Sequence, residues 1–423
     1  MMAREEPCSV PPPKGEGYFP LRVGTRLADG RYTLVRKLGW GAGASVWLAR
    51  TWRSEGGHRY VAIKVLTAML TEDVLRGSSL EVRMFEKLSD GEHAKDEHPG
   101  RRHCLTAESV FTEDSVHGRH ICIVTPPFGQ NVAELRISRS LDEFPLSALK
   151  SVVKQTLLAL DYLHRILRVV HMDVKASNIF VQLRASDEDI THYLQRHPAE
   201  EKRPQETHGE QSFMHTRSQP LPNFGLDPSL KNLHVCLGDY GGTVPIPVTS
   251  EMPGEMATTP FFVRAPELYL GHHWSTPVDI WAVGCMISEL LVPASPLFPQ
   301  DLTRIPDDQQ RRAHFARITE RLGQFPLDFL HRCPNRDQYF DAAGEPPDTE
   351  RTEHDADPGR PILALPPQGG TLEAFLGNDL HVRRCFSQED LQAIFRFMRR
   401  CLEIDPEKRP TAEELLRDEW LRL

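Results

Sequence analysis

The sequence predicts an α+β fold of two lobes, a small β-rich lobe followed by a larger helical one. Two periodicities, and the order in which they come, predict it. In the first third, Tyr32, Leu34, Arg36 and Leu38 alternate with Thr33, Val35 and Lys37, and residues 46–49 and 60–66 read as two further strands. After Gly129 the spacing changes to threes and fours: Leu149, Val152, Val153, Thr156, Leu157, Leu160 and Leu163, then Ile280, Val283, Ile287, Leu290 and Leu291. A β-rich stretch ahead of a helix-rich one gives two lobes rather than repeated βαβ units. With 423 residues, 39% hydrophobic and 26% charged, the chain suits one large two-lobed domain or two domains.

Taken in order, residues 1–25 carry Pro7, Pro11, Pro12, Pro13 and Pro20 and little apolar pattern, which predicts an extended tail. Residues 26–128 form the first lobe and its link to the second. They hold the three strands, a glycine-rich GWGAGAS between the first two, a helix around 80–88 and a strand at 120–125. Residues 129–423 form the second lobe. Within it, 185–231 has five prolines, four histidines and few large apolar residues, and is expected to be a flexible insert. Residues 341–357 are a polar run with seven acidic residues against one arginine.

The formal net charge of −9 argues against general nucleic-acid binding and favours basic partners. Eight cysteines are scattered without a CxxC pair, so neither a disulfide framework nor a zinc site is indicated, and a reducing compartment, cytoplasm or nucleus, is expected. The histidines of 185–231 lack metal-ligand spacing. No run approaches the roughly 18 apolar residues of a membrane span, and no signal-peptide core is evident. No membrane or direct nucleic-acid partner is expected, and the chain is expected to be a monomer.

Four motifs carry chemistry and three support them. In LGWGAGASVWLA (38–49), Gly39 and Gly41 let the backbone approach phosphate oxygens, and Val46 follows where it would cover a flat base. In VAIK (61–64), Lys64 on a strand would pair with phosphate oxygens if a carboxylate held it; Glu81 is the first candidate and Glu86 the second. In HMDVKASN (171–178), Asp173 would accept the proton of an attacking hydroxyl, Lys175 would neutralise a transferring phosphoryl group, and Asn178 would bind Mg²⁺. In LGDYGG (237–242), Asp239 is a metal ligand suited to bridging phosphates. RAPE (264–267), DIWAVG (279–284) and DPEKRP (405–410) are structural: Glu267 would pair with Arg409, and Asp279 would hold the backbone of the Asp173 loop. Singly these are weak signals, but their order is the protein-kinase signature.

The resemblance is narrower still. GYFPLRVGTRLADGRYTLVRKLGWGAGASVWLAR (17–50) resembles the opening of the SR-protein kinases, with their G-Y-x-P lead-in and K-L-G-W-G loop. HICIV (120–124), a residue other than arginine before Asp173, an arginine ahead of APE and an insert before DYG agree with that family. The resemblance covers about residues 17–183 and 232–423, and implies a bilobal protein-kinase fold with ATP and Mg²⁺ as cofactors. It implies Leu38, Gly39, Gly41, Val46, Ala62, Lys64, Glu81, Pro126 and Phe128 around ATP, Asn178 and Asp239 on the metal, and Asp173 with Lys175 in catalysis. The implied activity is phosphorylation of serines in arginine/serine-rich proteins. The alternative is a catalytically weak kinase-fold scaffold; a small-molecule kinase fits less well.

Three departures from the family stand out, and Met172, before Asp173, bears on regulation. Ala42-Gly43-Ala44 replaces the usual aromatic and hydroxyl residues, which predicts a looser loop. The link reads Thr125-Pro126-Pro127-Phe128, so two N–H donors are missing, although the Pro126 carbonyl and the Phe128 N–H and carbonyl remain. Thr259 lies eight residues before Glu267 rather than seven. Met172 cannot bind phosphate, and Tyr240 is the only tyrosine between Asp239 and Glu267, so activity without activation-segment phosphorylation is expected.

Overall fold

The computed structural model describes residues 5–12, 14–52, 56–90, 97–139, 144–202, 215–248, 259, 263–293, 295, 297, 298, 307–340 and 370–422. The first lobe is an antiparallel six-stranded sheet in the order β1-β2-β3-β4-β6-β5. Its strands are β1 (Arg26–Leu27), β2 (Tyr32–Gly41), β3 (Ala44–Trp52), β4 (His58–Leu66), β5 (Ser109–Ser115) and β6 (Gly118–Thr125). Two helices follow β4: α1 (Ala68–Leu75), capped by the Thr67 hydroxyl, and α2 (Glu81–Ser89). The register matters most for function. Gly39 pairs with Val46, Val46 with Lys64 and Lys64 with Ile123, so four motif positions lie in one row across the sheet. Directly opposed residues share a face, and Ala62, two residues from Lys64, joins them.

The two prolines decide where the lobes part. β6 stays paired with β4 up to Thr125. Pro126 and Pro127 have no N–H to extend that ladder. At Phe128 the chain enters β7 (Phe128–Asn131), which pairs with β9 (Ile179–Gln182) in the second lobe. Asn131 then starts α3 (Val132–Ile137) with a capping box closed by Glu134. α4 (Leu146–Asp161) presents the predicted apolar stripe to the core, and β8 (Val169–Val170) leads to the Asp173 loop.

β10 (Glu201–Lys202) pairs with β11 (His215–Thr216), and β12 (Val235–Leu237) completes a three-stranded sheet in the order β12-β9-β7. Between β9 and β10 lies α5 (Asp187–Arg196), and later come α6 (Pro266–Leu270), α7 (Pro277–Leu291) and α8 (Asp307–Leu322). Thirteen of the fifteen α7 residues are buried, as a helix apolar on all sides requires.

Two expectations need correction. Residues 185–231 were expected to be a flexible insert, but their described parts are ordered. Ser186 caps α5 with a capping box, and Ile190 and Leu221 are buried against Leu48 and Tyr60 of the first lobe. The few apolar residues suffice because they dock on a face that already exists instead of building a core of their own. The tail is not free either. Cys8, Tyr18 and Leu21 are buried, and Glu5 and Glu6 form ion pairs with the buried Lys37. That contact explains a strand residue which alternation alone would send to solvent. The acidic run 341–357 lies outside the described residues.

Candidate active site

Between the lobes lies a cleft of about 590 Å³, within the usual size of a small-molecule site. Leu38, Gly39, Gly41, Val46 and Ala62 line its roof, and Phe128 lines the link side. A Cβ at Gly39 or Gly41 would meet no protein atom within 4 Å, so the space at both is open to a ligand. Pro126 is not part of the lining. Its carbonyl accepts the Thr125 hydroxyl at 3.0 Å, and it is Thr125 that faces the cleft.

Lys64 donates to Glu81 Oε1 at 2.5 Å and to Asp239 Oδ1 at 3.2 Å. Burial opposes the ammonium charge, but the two carboxylates outweigh it and hold the Lys64 pKa above its ordinary value. The same lysine charge keeps the Asp239 carboxyl below its usual range, against the effect of burial. Glu81 is 1% exposed, and its Oε2 is buried with no protein partner. Glu86, the second candidate for Lys64, forms no such pair.

The Asp173 loop is held from beneath by one buried carboxylate. Asp279 Oδ2 accepts from His171 N at 2.7 Å and Oδ1 from Met172 N at 2.9 Å, while His164 Nε2 lies 2.8 Å from Oδ2. Met172 adopts φ +70°, a region that non-glycine residues seldom enter. Clamping of its N–H by Asp279 and of its carbonyl by the Thr259 hydroxyl keeps it there. Thr259 therefore reaches the loop through the Met172 carbonyl. Asp279 is held below the ordinary carboxylate pKa: burial pushes it up, but the hydrogen bond and charge of His164 and the His171 contacts prevail.

The catalytic candidates converge on a single oxygen. Asp173 Oδ2 accepts from Lys175 Nζ at 2.7 Å and from Asn178 Nδ2 at 2.8 Å. Asn178 Nδ2 also donates to the Asp173 carbonyl at 2.9 Å. Asp173 Oδ1 is buried with no protein partner. Across the cleft, Asp239 takes a left-handed φ of +64°, and Tyr240 turns into the core. The Tyr240 hydroxyl donates toward the Leu105 and Leu237 carbonyls, and its ring packs edge-on to Phe85 of α2 and His171. One ring thus links the helix bearing Glu81, the Asp239 turn and the Asp173 loop.

Three contributors were not singled out from the sequence. Tyr18 donates its hydroxyl to the Gly41 and Ala42 carbonyls at 2.6 and 2.8 Å, tethering the loop expected to be loose. Its place in the G-Y-x-P lead-in was a signal, but not of this contact. Pro220 and Leu221 of the insert also line the cleft, and no local pattern marks them.

Comparison with known proteins agrees with this geometry. The protein kinase domain family matches residues 32–214 and 224–421. The serine/threonine-protein kinase SRPK of Physarum polycephalum is 26% identical over 422 residues, covering 96% of this chain and 89% of that protein. A serine/threonine protein kinase of Aspergillus fumigatus is 29% identical, with coverage of 96% and 87%. SRSF protein kinase 3 of Homo sapiens is 32% identical over a shorter stretch, 39% of this chain and 28% of that protein. A crystal structure of a kinase domain superposes with TM-score 0.61 at 19% identity, covering 96% of this chain and 99% of the other, which shows the fold. The chain belongs to the protein kinase family, in its serine/threonine class, as a divergent member of the SR-protein kinases.

Proposed function

We propose that the cleft binds ATP with Mg²⁺ and that the chain transfers the terminal phosphoryl group to serine hydroxyls of arginine/serine-rich proteins. The observation that carries this is Asp173 Oδ1, a buried carboxylate oxygen without a protein partner, beside an Oδ2 fixed by Lys175 and Asn178. An acceptor fixed on one oxygen, with the hydrogen-bonding capacity of the other unspent, is what a hydroxyl nucleophile needs for its proton. The donor set also fits the cofactors. Lys64, oriented by Glu81, would meet phosphate oxygens. The ionised Asp239 and the Asn178 carbonyl oxygen would hold the cation, because Asn178 commits its amide nitrogen to Asp173. Bound ATP supplies the phosphoryl group, and Mg²⁺ neutralises charge developing on it. Lys175, in the cleft wall beside Asp173, would add positive charge where the group passes.

The substrate class rests on the kinship with SR-protein kinases and on the net charge of −9, which favours a basic peptide. Eight cysteines, all free thiols, support a reducing compartment, cytoplasm or nucleus. A peptide kinase assay tests the reading. Wild type should prefer an arginine/serine peptide to an acidic one, and Asp173→Asn should lower kcat by about 10²–10⁴-fold with ATP binding retained. A wild-type rate in the variant overturns the role of Asp173, and equal rates on both peptides overturn the substrate class.

A further inference from the structure

The nucleotide cleft has a wall that comes from neither lobe's core. Residues 217–224 cross its outer mouth from roof to floor. At the roof, the Gln219 N–H donates to the Lys37 carbonyl of β2 at 2.9 Å, next to Leu38. At the floor, Asn223 Oδ1 accepts from Gln130 N at 2.8 Å and Asn223 Nδ2 donates to Gln130 Oε1 at 2.9 Å. Gly129, just before that anchor, leaves room for it, since a Cβ there would lie 2.1 Å from Asn223 Oδ1 and the amide would have to shift. Between the anchors, Leu221 is 1% exposed, buried with Leu48, Tyr60 and Ile190 against Leu38 and Leu183. Pro220 and Leu221 both face the cleft. α5 adds a further hold, because Arg36 of β2 donates to the His197 carbonyl and lies over the Tyr193 ring.

This wall closes one particular end of the cleft. Lys64, Asp239 and the glycine turn mark the phosphate end. Leu38, Ala62 and Phe128 mark the apolar end, where a flat base belongs, and the segment meets the cleft between Leu38 and Gly129. We infer that Pro220 and Leu221 are specificity-determining residues, a fixed outer wall that excludes adenine nucleotides carrying bulk on the base edge facing the mouth. The inference rests on the reading of the cleft as a nucleotide site. A segment tied to one strand through the Gln219 N–H and to another through Asn223, with Leu221 buried between the two anchors, cannot swing aside as a surface loop does, so size discrimination follows from packing.

The test is equilibrium binding of Mg²⁺ with ADP, 2-phenylamino-ADP or N6-benzyl-ADP to the full chain, read by calorimetry. Wild type should bind ADP at least about tenfold more tightly than one of the two bulky analogues. Leu221→Gly should bring that analogue to within about threefold of ADP, and so should Asn223→Ala, which unties the segment while leaving Leu221 in place. Wild-type binding of both analogues as tightly as ADP overturns the wall, as does unchanged discrimination in both variants. Absence of ADP binding in wild type overturns the nucleotide reading of the cleft itself, and is thereby told apart from failure of the wall alone.

Discussion

Met172 occupies a position where a cation would let a phosphate on the activation segment govern the Asp173 loop. Its side chain is 2% exposed, its N–H is held by Asp279 and its carbonyl by Thr259, so the loop's backbone is fixed by groups that carry no phosphate. Residues 249–258 and 260–262 lie outside the described residues, and the nearby Tyr240 is fully buried with its hydroxyl engaged. Phosphatase treatment of the purified chain is therefore expected to leave the peptide phosphorylation rate unchanged; abolition of activity would refute phosphate-independence. The identities of Lys64, Asp173, Asn178 and Asp239 were legible in the sequence because each stands at a fixed distance from a glycine, a strand or a turn. The free Asp173 oxygen was not legible, because it depends on which neighbours arrive at the other one.

At the scale of elements, helix patterns announced themselves where the apolar stripe was long, as in α4 and α7. α8 carries a feature that no pattern shows. His314 is buried between Phe298 and Tyr269, with its Nε2 donating to the Arg264 carbonyl at 3.0 Å. Burial, aided by the Arg264 charge, pushes its pKa down to about 4. The native histidine is thus neutral, whereas the unfolded one takes up a proton below about pH 6.5. Its contribution to stability is complete above that pH and is lost as pH falls toward 4. Urea unfolding should show wild type losing about 2 kcal/mol more than His314→Phe between about pH 7.5 and pH 5. An identical loss in both would remove His314 from the acid response. The insert makes the opposite point: Ile190, Tyr193 and Leu194 sit at helical spacing in α5, but three apolar residues in a polar segment read equally well as disorder.

At the scale of the whole molecule, α6, α7 and the loop 405–410 are joined by an ion pair with no exposure. Arg409 is bidentate to Glu267 at 2.7 and 3.1 Å, and also donates to the Pro277 and Glu403 carbonyls. Arg409→Ala would strand a buried carboxylate, and thermal unfolding is expected to report a loss of about 3–5 kcal/mol. Exchanging both partners for apolar residues of similar volume should cost less than the single change; an equal cost would show that packing rather than charge governs the site. By itself the sequence determined the two-lobed α+β order, through local period, and named the candidate cleft residues and the Glu267–Arg409 pair, through motifs in a recognisable order. Tertiary structure alone decided that the proline tail tethers the glycine loop through Tyr18 and that Leu221 walls the cleft. Those contacts join residues more than 20 positions apart in the first case, and in the second 93 apart at the floor anchor and well over 100 at the roof. They depend on shape at a docking face, and sparse apolar residues do not encode that shape locally.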